Sequence, residues 1–142
     1  MRQLSGLEQL DGIARGELEP APMAELMGFE LIEVEEGFAA FEGEPTEALN
    51  NPMGTVHGGF AATMLDSAMG CAVHSTLPAA GAYSTLELSV NLVRPITSQT
   101  GRVRAEGRLI HAGRRAATAE GRLVALDTGK LLAHGTTTCM IS

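Results

Sequence analysis

The stretch NPMGTVHGGFAATMLDSAMG, residues 51–70, decides how the rest of the chain is read. Asn51 to Gly54 has the chemistry of a turn. From about Gly59 the pattern changes: Phe60, Met64, Ala68, Cys71 and Ala72 repeat at helical spacing, and Ala61, Ala62, Leu65, Met69 and Val73 fill most of the remaining circumference. The spacing predicts a helix over 59–75. A helix that is apolar nearly all round is buried, and its many small residues let a sheet approach closely.

Two features of this stretch carry chemistry. His57-Gly58-Gly59 falls where the helix begins, so first-turn N–H groups without intrahelical acceptors meet the positive end of the helix dipole. Glycine lets a ligand reach that backbone, which makes the turn a candidate oxyanion hole. Asp66 is the only acid in the long apolar helix. A carboxylate buried there needs a partner or a raised pKa, and such groups are functional candidates. The plainer readings are a tight Gly-Gly turn, a solvent-facing Asp66, a structural His57 and a turn-forming Asn51. Asp66 follows Gly59 by two helical turns, roughly 10 Å along the axis. One helix cannot bring both to a single substrate atom, whereas two such helices paired antiparallel can. That favours a site shared between subunits.

Before this stretch, Leu4–Arg15 has helical spacing, with Ser5 and Glu8 at capping-box spacing and Gly16 as a stop. Pro22 opens a short helical turn through Met27. Residues 29–35 and 38–44 read as strands joined at Glu36-Gly37. After it, Tyr83–Arg94 alternates: Ser84, Leu86, Leu88, Val90 and Leu92 share one face, and Thr85, Glu87, Ser89, Asn91 and Val93 the other. Residues 101–111, 114–126 and 131–141 are three more strands, with turns at Ala112-Gly113 and Asp127-Thr128-Gly129. Hairpin-like succession implies an antiparallel α+β architecture. One helix cannot cover both faces of six strands, so a partner chain is expected.

The 142 residues suggest one domain, 1–142, with residues 1–28 as an N-terminal helical segment. A chain of this length buries roughly 68–70% of its unfolded surface. The net charge of −7 is unevenly placed: residues 1–50 carry −10 and the remainder +3. The global charge argues against nucleic acid but permits a local anion site in the second part. No apolar run reaches a membrane span, and an N-terminus without an h-region points to the cytoplasm. Cys71 and Cys139 form no CxxC pair and are expected reduced and buried. The four histidines lack zinc spacing, so no metal is expected.

Residues 51–70, together with TLELSVNLVRP at 85–95, resemble the hotdog-fold acyl-CoA thioesterases of the PaaI type. The resemblance runs from Leu4 to Ile141 and includes the Gly113-Arg114-Arg115 turn. It implies a curved antiparallel sheet of five to six strands around one long central helix. It also implies hydrolysis of a thioester to a carboxylate and free coenzyme A, with no cofactor beyond the coenzyme A of the substrate. By the same resemblance, Asn51 and the Gly58 N–H polarise the carbonyl, with Gly59 beside them. Asp66 of the other subunit acts as base or nucleophile. A hydroxyl at the start of the next strand holds the water. Alternation favours Ser84 for that role, and a bulge would transfer it to Thr85. His57 shapes the loop. Arg114 or Arg115, ahead of Arg94 and Arg102, meets the coenzyme A phosphates. The implied assembly is a homotetramer, a dimer of dimers. Leu26, Met27, Phe29 and the central helix are expected to line the acyl pocket. Two rival readings remain at this level: a hotdog hydratase or dehydratase acting on enoyl thioesters, and a non-catalytic acyl-CoA binding protein.

Overall fold

The computed structural model describes residues 3–142. Helices α1 (Gly6–Ala14) and α2 (Pro22–Met27) precede strands β1 (Phe29–Glu35) and β2 (Phe38–Gly43). Then come a 3-10 turn at Glu47–Leu49, helix α3 (Gly58–His74), and strands β3 (Tyr83–Leu92), β4 (Val103–Ala112), β5 (Ala116–Ala125) and β6 (Leu131–Ile141). The termini of α1 follow from its sequence. Ser5 Oγ accepts from the Glu8 N–H, and the Glu8 carboxylate accepts from the Ser5 N–H, satisfying two helix-end donors reciprocally. Gly16 leaves the helix in the left-handed region. The 3-10 turn at Glu47–Leu49 carries no apolar periodicity and was not foreseen.

All six strands form one antiparallel sheet in the order β1-β2-β4-β5-β6-β3. This corrects the expectation of hairpin succession. β3 does not pair with β4; it crosses to the far edge and pairs with β6, while β4 pairs with β2. The local turn signals report only the hairpins β1-β2, β4-β5 and β5-β6.

Helix α3 lies across the sheet's inner face and fills its curve. Phe60, Met64, Leu65, Ala68, Met69 and Val73 are all essentially excluded from solvent. The close seat has a specific cause. Gly107, Gly121 and Gly135 are neighbours across β4, β5 and β6. A Cβ at Gly107 would collide with the α3 backbone at Ala68 and Met69, and one at Gly121 would crowd Met69 and Leu65. Gly107 and Gly121 therefore set how near helix and sheet can come, while a Cβ at Gly135 would meet the Ser89 carbonyl of β3. No helix among the described residues is long and apolar enough to cross a membrane.

The outer face explains much of the uneven charge. Arg104 donates to Glu33, Glu42 and Glu106 at 2.9 Å each, and Arg102 bonds Glu42 at 3.1 Å and Glu30 at 3.4 Å. Acids of β1 and β2 thus neutralise bases of β4 and of the residue just before it.

Candidate active site

The loop before α3 is organised by Asn51. Its Oδ1 accepts from the backbone N–H groups of Met53 (2.9 Å) and Thr55 (3.3 Å). Its Nδ2 donates to Thr55 Oγ1 at 2.9 Å. That pattern fixes which end of the amide is the oxygen and leaves one Nδ2 hydrogen uncommitted among the described residues. The next donor comes from the helix start. The His57 N–H is held by Leu49 O at 2.9 Å, and His57 Nδ1 accepts from the Gly59 N–H at 2.8 Å. His57 is thus the N-cap of α3. The cap consumes the Gly59 N–H, so Gly59 is no second donor to a ligand. It leaves the Gly58 N–H, at the first helical position, with no acceptor among the described residues. Gly58 has its own reason to lack a side chain: a Cβ there would sit 2.7 Å from Leu92 Cδ1. A hollow of about 250 Å³ opens here, bounded by Asn51, His57, Gly58, Leu92 and Arg94.

Asp66 is half-buried rather than sealed in the core. Its Oδ1 accepts from Thr85 Oγ1 at 3.0 Å. The hydroxyl on the carboxylate is therefore that of Thr85, not of Ser84, which is exposed. The cause is a bulge in β3. Thr85 pairs with Cys139 and Glu87 with Thr138, so Leu86 is left without a partner. One extra residue inverts the alternation. Tyr83 and Thr85 face inward before the bulge, and Leu88, Val90 and Leu92 after it. The pattern expected for the second half of the strand holds, and the first half is reversed.

The cationic candidates separate. Arg102 is engaged with Glu30 and Glu42 and is not available to a phosphate. Arg114 and Arg115 are exposed in the tight β4–β5 turn, closed by the Gly113 N–H on Ala116 O at 2.8 Å. They form no ion pair among the described residues. The Ile141 N–H bonds Arg115 O, and Ile141 pairs with Tyr83, so this turn belongs to the Thr85 end of β3. Arg94 lies at the opposite end, beside Gly58. Of the apolar candidates, Leu26 is 80% exposed and Phe29 is buried in the core against Phe41 and Phe60. Met27 lines a hollow with His57, Gly59 and Phe60.

Within one chain these residues fall into two separate groups. Gly58 and Asp66 stand about 12 Å apart along the α3 axis at 1.5 Å per residue. No group of three or more His, Cys, Asp or Glu able to hold a metal occurs among the described residues. Cys71 and Cys139 are free thiols.

The sequence pattern of the thioesterase superfamily matches residues 53–132. Among solved structures, a putative thioesterase from Ralstonia eutropha JMP134, described as phenylacetic acid degradation-related, is 33% identical. It superposes with a TM-score of 0.81, covering 93% of this chain and 98% of the other. A variant of the phenylacetic acid degradation protein PaaI from Thermus thermophilus is 30% identical, with a TM-score of 0.75 and coverage of 84% and 98%. A 1,4-dihydroxy-2-naphthoyl-CoA hydrolase of Listeria monocytogenes is 28% identical over 92 residues, 65% of this chain and 73% of the relative.

Proposed function

Because the chain belongs to the thioesterase superfamily, with a hotdog arrangement of sheet and helix, we propose that it hydrolyses an acyl-CoA thioester to a carboxylate and free coenzyme A. We further propose that all 142 residues act as one such domain and that two copies build each site. One observation carries the reading: the Asp66 carboxylate is held by the Thr85 hydroxyl, while the Gly58 N–H and one Asn51 Nδ2 hydrogen have no acceptor among the described residues.

The chemistry follows from those atoms. The thioester oxygen accepts from the Gly58 N–H and Asn51 Nδ2. Donors aimed at a developing oxyanion are worth about 3–4 kcal/mol each. Thr85 holds Asp66 Oδ1, leaving Oδ2 to take a proton from water or to attack the carbonyl carbon itself. Collapse of the tetrahedral intermediate expels the thiolate of coenzyme A, which picks up a proton. His57 is a positioning residue. Its Nδ1 accepts from the Gly59 N–H, so the nitrogen that would act as a base is engaged in capping α3. This disfavours the hydratase reading, which needs such a base.

The second copy is supported by β3. It is a ten-residue edge strand that exposes Leu86 at 62% and Leu92 at 57%. Long apolar edges invite pairing. The other edge, β1, carries Glu30, Glu33 and Glu35 instead. Antiparallel pairing of two β3 strands about a two-fold axis at Ser89, with the bulged Leu86 left out of register as it is against β6, sets Thr85 of one chain opposite Leu92 of the other. Asp66 and Thr85 then face Asn51, Gly58 and Arg94 across the interface, with the Arg114-Arg115 turn on the same side.

The test is thiol release from a panel of aryl and aliphatic acyl-CoAs by the wild type and Asp66→Ala. The expected result is turnover in the wild type that falls by several orders of magnitude in the folded variant. Near wild-type release by Asp66→Ala would overturn the mechanism, and tight acyl-CoA binding without release would favour the non-catalytic reading.

A further inference from the structure

A strand with one extra residue has to be held in that register, because a slip by one position turns its side chains to the other face. In β3, closing the bulge would set Thr85 against Met140, turn its hydroxyl outward and bring Ser84 inward. The side chains of β3 alternate without a break and do not make that choice. Something outside the strand has to make it.

One buried polar side chain stands at this point. Thr137 of β6 is 1% exposed, and its Oγ1 donates to the Glu87 carbonyl at 2.8 Å. Glu87 directly follows Leu86, the residue left without a partner. The bond runs diagonally, from Thr137 to the residue before its own register partner, Leu88. On its other side Thr137 pairs with Ala119 of β5, so both of its neighbours across the sheet are apolar. A hydroxyl buried in such surroundings is costly unless it is hydrogen-bonded, and valine has the same shape without that cost. The carbonyl at the bulge is what gives a threonine here its use.

A second link runs along the inward face. Cys139 lies two residues beyond Thr137 on β6 and pairs with Thr85. It is fully buried, and its side chain hydrogen-bonds with those of both Thr137 and Thr85. Burial raises the Cys139 thiol above its ordinary value, and these two hydrogen bonds oppose the rise. The thiol keeps its proton at neutral pH and fills the space between the two hydroxyls. Contacts therefore run without a gap from Thr137 through Cys139 and Thr85 to Asp66.

We propose that Thr137 is a positioning residue for the reaction: by holding the Glu87 carbonyl it pins the β3 bulge and so keeps the Thr85 hydroxyl on Asp66. It lies behind the reacting atoms and acts only through Thr85. The inference rests on the thioester-hydrolysis reading.

The test is a double-mutant cycle, read as thiol release from one acyl-CoA that the wild type hydrolyses. Thr137→Val is expected to lower kcat about tenfold or more, up to the loss seen in Thr85→Val, with KM within about twofold. Thr137→Ser keeps the hydroxyl and is expected to stay within about twofold of wild-type kcat. In a Thr85→Val background, Thr137→Val adds less than about twofold, because the contact it protects is already gone. Losses that multiply, wild-type kcat in Thr137→Val, or equal losses in Thr137→Ser and Thr137→Val overturn the proposal. If Thr137→Val does not fold, Thr137→Ala takes its place with the same outcomes. If the wild type releases thiol from no acyl-CoA, the hydrolase reading fails. The crystal structure of Thr137→Val then decides the positioning role separately: a Thr85 hydroxyl displaced from Asp66 upholds it, and a contact unchanged at 3.0 Å overturns it.

Discussion

Thr85 and Ser84 differ by one position and face opposite ways. With the bulge placing Thr85 Oγ1 3.0 Å from Asp66 Oδ1, Thr85→Val is expected to lower kcat by about 10²-fold, a loss of about 3 kcal/mol. Ser84→Ala stays within about twofold of the wild type on the same scale. Steady-state kinetics on one acyl-CoA checks both, and a larger loss from Ser84→Ala would contradict the geometry. Asn51→Ala removes a donor used mainly in the transition state, so its effect belongs in kcat more than in KM. As candidates, Gly58 and Asp66 were legible from local spacing around a helix start, and Asn51 from the family resemblance. The choice of Thr85 over Ser84 was not. Ser-Thr-Leu-Glu-Leu alternates without a break, and nothing in those side chains marks Leu86 as the residue left over in the β3–β6 register. The use of the Gly59 N–H was equally hidden, since it depends on a ring nitrogen two residues earlier.

Among the elements, α3 and its glycine seat were anticipated in kind, because small residues on a buried helix imply close packing. The particular row Gly107-Gly121-Gly135 was not, since it exists only once register is known. Gly107→Ala drives a methyl into the backbone at Ala68 and Met69. It is expected to cost about 1–3 kcal/mol in urea unfolding. The ion-pair ladder was illegible for the same reason. Glu42 and Arg104 lie on paired strands with all of α3 and β3 between them in sequence. Burial pushes the Glu42 carboxyl up, but hydrogen bonds from Arg104 and Arg102 outweigh it and hold it below its usual 4.5. A carboxylate depressed in the folded state contributes stability that is complete above the unfolded value and lost as pH falls through the folded one. Melting temperature should therefore drop as pH falls below 4.5. Glu42→Gln should start lower at neutral pH and fall less steeply in acid; parallel curves for the two proteins would contradict the pairing.

At the scale of the whole molecule, a site divided between copies has a direct signature. Asn51→Ala and Asp66→Ala are each expected to be inactive, yet mixing them after dissociation should restore activity. A mixed dimer holds one site with both defects and one with neither, so equal amounts give about a quarter of wild-type turnover. No recovery would place the whole site within one chain. The proposal of a second copy has its root in the sequence, in the distance between Gly58 and Asp66 along one helix. The β3 edge proposed for it does not, because turn signals describe neighbours in sequence and β3 finds its neighbour elsewhere. That pairing also dictates an order of events. As a growing chain delivers its parts, α3 and β3 arrive long before β6, and β3 has no other strand within the chain to join. Until residues 131–141 emerge, Thr85 has no register and Asp66 no fixed companion. The proposed reactive centre is therefore assembled late in synthesis, and a ribosome that stops early releases a chain without the Thr85–Asp66 contact.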